Sequence, residues 1–276
     1  MRGHHFVNRI FDEQSLPVVR NLHLIACTCA LVLLGGACSV TPIAHDIEPV
    51  SAARALSMGA ALDDVMNRHQ INTAAIAVIK RGEMVWSHHY GQQAPGVPAS
   101  ERTMYDVGSI TKTVVAETVL RLVADGQLSL GESMSAHWVD PDLQDDPRHH
   151  LLTPRIALTH TTGFPNWRFF ADDGKLAFVR DPGIRFGYSG EGFNYLARFV
   201  SAKFDEPFEQ IAQRYVFQQS GINDATLSVK QETFDRIAQP LDADGNFPGY
   251  YCSPEGWCRK PGRCSAAGGM VLTMAD

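Results

Sequence analysis

The segment at residues 104–113, MYDVGSITKT, places a serine and a lysine three positions apart, Ser109 and Lys112, where loop sequence gives way to helix sequence. Residues three apart on a helix share one face, so the Lys112 ammonium can approach the Ser109 hydroxyl. A serine hydroxyl is a poor nucleophile unless a base or a cation stands close to it. The segment therefore predicts a nucleophile with its activating lysine, although a Ser-x-x-Lys spacing also arises by chance about once in a chain of this size.

The overall composition is that of a globular protein. The chain has 276 residues, of which 45% are hydrophobic and 20% are charged. This length suits one large domain or two small ones. The formal net charge is -6 and the sequence contains no long basic run, so nucleic acid is not an expected partner.

The N-terminal residues have the pattern of an export signal. An apolar run at residues 24–34 follows Arg20 and leads into small residues; it is too short to span a bilayer comfortably. We therefore predict a signal peptide at residues 1–38 and a linker at residues 39–50, with the mature chain periplasmic or membrane-anchored. Cys38 lies where a lipoprotein signal carries its modified cysteine, and both lipidation and simple cleavage stay open.

Three later cysteines, Cys252, Cys258 and Cys264, would lie in a compartment that permits disulfides if the chain is exported. They allow one bridge, and the spacing does not choose the pair. Zinc is the alternative, but no paired C-x-x-C occurs among them and no His follows nearby, so we predict no metal. The sequence DADGN at 242–246 resembles a calcium loop, but Ser253 stands where that loop needs an acidic ligand, and a plain turn is predicted.

The periodic patterns predict mixed α/β structure. A β-hairpin is indicated by two apolar, β-leaning runs on either side of Arg81-Gly82. Helices are predicted at 51–70, 111–126, 190–204 and 207–221, with a shorter helix within 152–166. The last residues, SAAGGMVLTMAD, have the pattern of a strand or the start of a helix. This order indicates an α/β sheet domain with a helical domain inserted in it.

A second candidate for chemistry is Tyr188 in FGYSGEGFNYL, residues 186–196. It precedes a glycine-rich turn that leads into a predicted helix, and such a turn can hold a phenol rigidly in a cleft. A phenolate beside a lysine is a competent general base. For a tyrosine taken alone, packing in the core or at a rim is the alternative.

Six segments occur in a familiar order along the chain: NTAAIAVIKRGEMVWSHHYG, TMYDVGSITK, DGQLSLGESM, IALTHTTGFP, DPGIRFGYSGEGFNYLARFV and SAAGGMVLTMAD. Together they resemble the serine β-lactamase-related family of class C β-lactamases, D-Ala-D-Ala carboxypeptidases and related esterases with a penicillin-binding fold. The resemblance implies an α/β, β-lactamase/transpeptidase-like fold, in which an antiparallel sheet is flanked by helices. Residues 51–107 and 264–276 would form the sheet domain, and residues 108–263 the mainly helical domain.

The resemblance also implies an exported serine acyl hydrolase that forms an acyl-enzyme on Ser109. Lys112 would hydrogen-bond the nucleophile and tune its proton, and Tyr188 would act as the base. The backbone N–H of Ser109 would be one oxyanion donor. His160 lies in a family motif, where we expect loop packing rather than catalysis. The substrate would be a small-molecule or peptidoglycan-like acyl compound, no cofactor would be needed, and the oligomeric state stays open.

Two departures from the family pattern qualify these expectations. Gly190 stands at a substrate-binding position where members that process β-lactams usually have Asn, which favours an esterase or a D-amino-acid peptidase over a β-lactamase. The family's third motif, Lys/His-Thr/Ser/Trp-Gly, is expected beyond Asp276. The resemblance thus implies a C-terminally truncated member with an incomplete sheet, not expected to fold into a fully active enzyme. The alternative is a non-catalytic binding protein or inactive fragment of the same fold.

Overall fold

A computed structural model describes part of the chain, namely residues 50–228, 230–241, 247 and 264–276, without the side chains of residues 231, 232 and 234. The predicted signal peptide, Cys38, the sequence DADGN, Cys252 and Cys258 lie outside the described residues. Within the described part, no helix is long and apolar enough to cross a membrane.

The first elements are a helix and an antiparallel hairpin. Helix α1, Ala52–Arg68, begins at Ser51, whose hydroxyl accepts a hydrogen bond from the Arg54 backbone N–H at 3.4 Å. Strands β1, Thr73–Lys80, and β2, Glu83–Ala94, pair antiparallel, and β3, Val97–Pro98, pairs with β2, so that the sheet order is β1-β2-β3. Both residues of the β1–β2 turn have positive φ angles, 54° at Arg81 and 84° at Gly82, which match the twist of a tight hairpin. The predicted helix and hairpin are confirmed.

A second, two-stranded sheet brings the end of the chain to the nucleophile segment. Strand β4, Tyr105–Asp106, leads into a 3-10 turn at Gly108–Ile110 and then into helix α2, Thr111–Ala124. Strand β5, Val271–Leu272, pairs antiparallel with β4. The SAAGGM sequence that precedes β5 therefore lies next to the turn that carries Ser109.

The middle of the chain is helical and irregular. It contains α3, Pro154–Leu158, α4, Gly190–Phe204, and α5, Phe208–Ala212, together with several 3-10 turns. The predicted α4 is confirmed. The helical run predicted at 207–221 is also present and ends at Gly221, which has a φ angle of 72°, but it is not α-helical throughout. There, α5 passes into a π turn, Gln213–Phe217, and then into a 3-10 turn, Gln218–Ser220. Within this run the Gln218 N–H donates to the Gln213 carbonyl, and the Arg121 guanidinium donates to the Tyr215 carbonyl at 2.7 Å, which gives that carbonyl a partner outside the helix.

The main core lies where α2, α4 and α5 meet. Its members include Val115, Val119 and Leu122 of α2, Leu196, Phe199 and Val200 of α4, and Ile211 of α5. Each such side chain contributes about 1.5–3 kcal/mol through removal of its apolar surface from water. This packing fixes the N-terminal ends of α2 and α4, which carry the candidate site. The division of the chain into a sheet domain and an inserted helical domain stays a prediction.

Candidate active site

The turn that carries Ser109 depends on the glycine before it. Gly108 has a φ angle of 49°, in the left-handed region that disfavours side chains, and its N–H donates to Asp106 Oδ1 at 2.8 Å. The turn is a single 3-10 turn, and α2 begins directly after it at Thr111. Ser109 is exposed at this point. Its hydroxyl is thus presented to solvent beside the first turn of a helix.

Lys112 lies beneath Ser109 and is almost fully buried, with 7% of its surface exposed. Its ammonium donates to Ser109 Oγ at 3.1 Å and to the Ala267 carbonyl at 2.5 Å. It also lies 4.7 Å from the centre of the Tyr188 ring. A buried ammonium must be hydrogen-bonded, and these acceptors hold it against the serine. Sequence patterns did not point to Ala267 itself, although the SAAGGM match had marked its segment.

Tyr188 reaches the same oxygen from the other side of the site. Its hydroxyl donates to Ser109 Oγ at 2.7 Å, across 79 residues of sequence. The next residue anchors it, because the Ser189 hydroxyl is buried, donates to the Pro165 carbonyl at 2.7 Å and accepts from the Gly192 N–H at 3.0 Å. Ser189 thereby caps α4 and fixes the backbone that carries the phenol.

His160 packs behind Tyr188 rather than facing Ser109. The two rings are stacked with centroids 4.5 Å apart, and His160 Nδ1 accepts a hydrogen bond from the Ser189 N–H at 3.1 Å. Burial, and secondly the positive charge of Lys112, lower the pKa of His160 below its ordinary value. The neutral ring therefore serves as an acceptor that positions Tyr188, which agrees with the packing role expected from sequence.

The structure places Gly190 under an aromatic ring. Its N–H donates to the Asn166 side-chain oxygen at 2.9 Å and to the Asn166 carbonyl at 3.1 Å. A Cβ atom at residue 190 would lie only 2.4 Å from Cη2 of Trp167. The space of that side chain is thus already filled by Trp167, a residue that sequence reasoning missed. The one available signal was its place in an aromatic run, NWRFF, directly after the LTHTTGFP match.

An ion-pair cluster holds the Trp167 segment in place. Arg168 bridges Asp140 at 2.7 Å, Asp142 at 3.0 Å and Glu191 at 3.0 Å. Burial by itself lowers the pKa of Arg168, but its hydrogen bonds to Asp140 and Glu191 outweigh burial and raise that pKa above the ordinary value. This guanidinium is therefore committed to structure, and it ties the loop after Pro165 to the first turn of α4.

Taken together, these contacts bring three of the predicted residues to one oxygen atom. Ser109 Oγ accepts from both Lys112 and Tyr188, and a contact between two hydroxyls can carry a proton in either direction. The cation and the N-terminus of α2 both favour negative charge at this place. Across the part of the chain that is described, no three His, Cys, Asp or Glu side chains are grouped so as to hold a metal ion.

Comparison with solved structures shows which fold this is. A class C β-lactamase in complex with cefoxitin superposes with a TM-score of 0.64 at 19% identity, covering 81% of this chain and 63% of that one. The D-amino acid amidase from Ochrobactrum anthropi SV3 superposes with a TM-score of 0.63 at 21% identity, covering 79% of this chain and 65% of that one. At these identities the likeness shows the fold, and the β-lactamase/transpeptidase-like fold is confirmed.

Sequence relatives point to the same group. Esterase EstB of Burkholderia gladioli is 32% identical over 136 residues, which are 48% of this chain and 34% of that protein. A β-lactamase of Pseudomonas fluorescens is 23% identical over 197 residues, which are 67% of this chain and 54% of that protein. The chain thus spans about half or less of the length of these relatives. The family profile described as Beta-lactamase matches residues 58–276. The chain therefore belongs to the β-lactamase family.

Proposed function

We propose that this chain carries the nucleophile of an exported serine acyl hydrolase, which forms an acyl-enzyme on Ser109 and acts on esters or D-amino-acid peptides rather than on β-lactams. One observation carries the proposal: Ser109 Oγ is held at 3.1 Å by the Lys112 ammonium and at 2.7 Å by the Tyr188 hydroxyl. A serine with a cation and a proton carrier at hydrogen-bonding distance is an activated nucleophile.

In the acylation step, Ser109 Oγ attacks the carbonyl carbon of the substrate. Tyr188 acts as the base and takes the serine proton along the 2.7 Å contact, while Lys112 stabilises the negative charge that moves between the two oxygens. The backbone N–H of Ser109 donates to the oxyanion of the tetrahedral intermediate. When that intermediate collapses, the phenol returns the proton to the departing alkoxide or amine, and the acyl group stays on Ser109.

Deacylation uses the same groups in reverse order. A water molecule attacks the acyl carbonyl, and Tyr188 accepts its proton. Collapse of the second intermediate breaks the bond to Ser109 Oγ, which recovers a proton from the phenol, and the free acid leaves. His160 does not take part in these transfers; its role is to hold Tyr188 through the Ser189 N–H and ring stacking.

The preference for esters or peptides over β-lactams has two supports. A glycine at residue 190 has no carboxamide with which to bind a substrate carbonyl, and Trp167 fills the corresponding space. The relative at 32% identity is named an esterase. The decisive comparison is the turnover of short-chain acyl esters and of a cephalosporin by purified protein. A higher kcat/KM for the cephalosporin would contradict this part of the proposal.

The catalytic part is tested with a fluorophosphonate probe. We expect covalent labelling of the wild type and none of Ser109→Ala, with Asn223→Ala, a surface change remote in sequence from the site, labelled like the wild type. If a short-chain ester or D-amino-acid peptide bound tightly and reversibly while the probe formed no adduct, the chain would instead be a non-catalytic binding protein of the same fold.

Export and lipid attachment at Cys38 are also proposed, from the apolar run and small residues that precede this cysteine. Expression of the full chain in a bacterium with radiolabelled palmitate tests both. Label that co-purifies with the wild type and disappears in Cys38→Ala supports lipidation. Secretion of an unlabelled, shortened chain supports cleavage alone, and a full-length cytoplasmic product would contradict export.

A further inference from the structure

The Trp167 ring occupies the space where a side chain at residue 190 would lie. This space is on the same side of the backbone as the Tyr188 phenol. Ser189 between them is extended, with φ -143° and ψ 118°, so that residues 188 and 190 point to one face and Ser189 to the other. The Ser189 side chain is fully buried, and the Tyr188 hydroxyl reaches Ser109, so the shared face is that of the nucleophile. The Trp167 ring thus lies against Gly190, whose Cα is at most about 7 Å from that of Tyr188 along an extended chain.

The Trp167 segment is held rigidly by the helix it covers. The backbone N–H groups of Gly190 and Glu191 both donate to the Asn166 carbonyl at 3.1 Å. In return, the Glu191 carboxylate accepts from the Arg168 backbone N–H at 3.0 Å and from its guanidinium. Both neighbours of Trp167 in sequence are therefore fixed. A wall that is ordered before binding costs little conformational entropy when a ligand packs against it.

Further apolar side chains adjoin Trp167 and the residues that hold Tyr188. Phe169 stacks on Trp167 with centroids 5.6 Å apart, and Phe170, which is 67% exposed, packs against Phe169. Phe186 is exposed and makes a T-shaped contact with the His160 ring, which stacks on Tyr188. Ile110, next to Ser109 in sequence, is exposed as well. Exposed aromatic side chains grouped around a reactive residue are typical of a binding site for an apolar ligand.

Two of the cations near the site are committed to other partners. The Lys112 ammonium is directed to Ser109 and Ala267, and the Arg168 guanidinium is paired with Asp140, Asp142 and Glu191. A third cation, the Arg180 guanidinium, lies against Gly187 and donates to the Phe186 carbonyl at 3.2 Å, on the side of Tyr188 away from Gly190 in sequence. The surface that starts at Trp167 is apolar, which suits an aryl group.

We infer that Trp167 is a specificity-determining residue, and that the substrates are esters with an aryl group on the acyl side of the carbonyl. This inference rests on the proposed acyl transfer to Ser109. An aryl ring that stacks on Trp167 gains aromatic contact as well as burial, so we expect a preference of about tenfold or more over a methyl group.

The test compares methyl phenylacetate with methyl acetate, which share a leaving group and differ in the acyl side chain. In the wild type, kcat/KM is expected to favour methyl phenylacetate, and Trp167→Ala should lower that ratio about tenfold. Trp86→Ala, a matched change on the β2 strand, should leave the ratio unaltered. If turnover is slow, the concentration of each ester that protects Ser109 from the fluorophosphonate compares their affinities, and Trp167→Ala should lower the preference for methyl phenylacetate in that assay too. An unchanged ratio in Trp167→Ala would overturn the inference.

A second measurement does not depend on activity. Gly190→Ala should lower Tm by several degrees in the wild type, because its Cβ meets the Trp167 ring at 2.4 Å, and should not lower it in Trp167→Ala. Equal effects in both backgrounds would remove the steric basis of the inference. Failure of the proposed function would give different results. Ser109→Ala would hydrolyse the esters as fast as the wild type, or the fluorophosphonate would not label Ser109. Either result would be independent of the Gly190 and Trp167 variants.

Discussion

Replacement of Arg168 by methionine should destabilise the fold strongly. Arg168 is 27% exposed, but the carboxylates it pairs with, Asp140 and Glu191, are only 3% and 7% exposed. Methionine keeps much of the apolar stem and leaves both carboxylates buried without their cation. Breaking a buried pair in this way costs about 3–5 kcal/mol. In a domain of this size, 1 kcal/mol shifts Tm by about 2–4 °C, so a fall of about 6–20 °C is expected.

Thermal unfolding followed by circular dichroism measures this fall, with Arg214→Met as the matched control. Arg214 pairs with Glu206 at 2.7 Å, but its side chain is 54% exposed, so its loss should cost about 1 kcal/mol or less. If Arg168→Met lowered Tm no further than Arg214→Met, the Asp140–Arg168–Glu191 cluster would not hold the Trp167 segment as described.

Three further predictions concern the site itself. Lys112→Met should slow fluorophosphonate labelling of Ser109 by roughly 100-fold or more, because the cation beside the nucleophile is lost; labelling at the wild-type rate would show that Lys112 is not needed. Gly108→Ala should cost about 1–2 kcal/mol in urea unfolding, because the φ angle of 49° strains any side chain although nothing lies near the new Cβ. The pKa of His160 is lower in the folded protein than its ordinary value of about 6.5. The contribution of His160 to the free energy of unfolding is therefore complete above pH 6.5, and it is lost as the pH falls towards the pKa of the folded state. The Tm advantage of the wild type over His160→Asn should therefore shrink between pH 7 and pH 5, and a constant difference would refute this.

Local patterns predicted the elements whose cause is local. The β1–β2 hairpin follows from two β-leaning runs around Arg81-Gly82, and α4 follows from an amphipathic run capped by Ser189. The π turn at Gln213–Phe217 could not be predicted in this way, since its residues follow the same helical pattern as α5; its Tyr215 carbonyl is bound by Arg121, which is distant in sequence.

In the candidate site as well, contacts with a local cause were predictable and contacts between distant segments were not. The contact between Ser109 and Lys112 follows from their three-residue spacing, and the meeting of Tyr188 with Ser109 was implied by the family resemblance. For the Ala267 carbonyl and the Trp167 ring the sequence marked only the surrounding segments, SAAGGM and NWRFF, because each is brought to the site by packing between distant segments. Gly190 was recognised as a departure from the family pattern, but only the structure shows that Trp167 fills its place.

The most direct test of the central claim is to locate the covalent adduct. Purified full-length protein is incubated with an acyl ester, quenched in acid at short times, digested and analysed by mass spectrometry. The acyl mass is expected on the peptide that contains Ser109, present in the wild type and absent in Ser109→Ala. An adduct on a different residue, or ester hydrolysis that persists in Ser109→Ala, would contradict the assignment of Ser109 as the nucleophile.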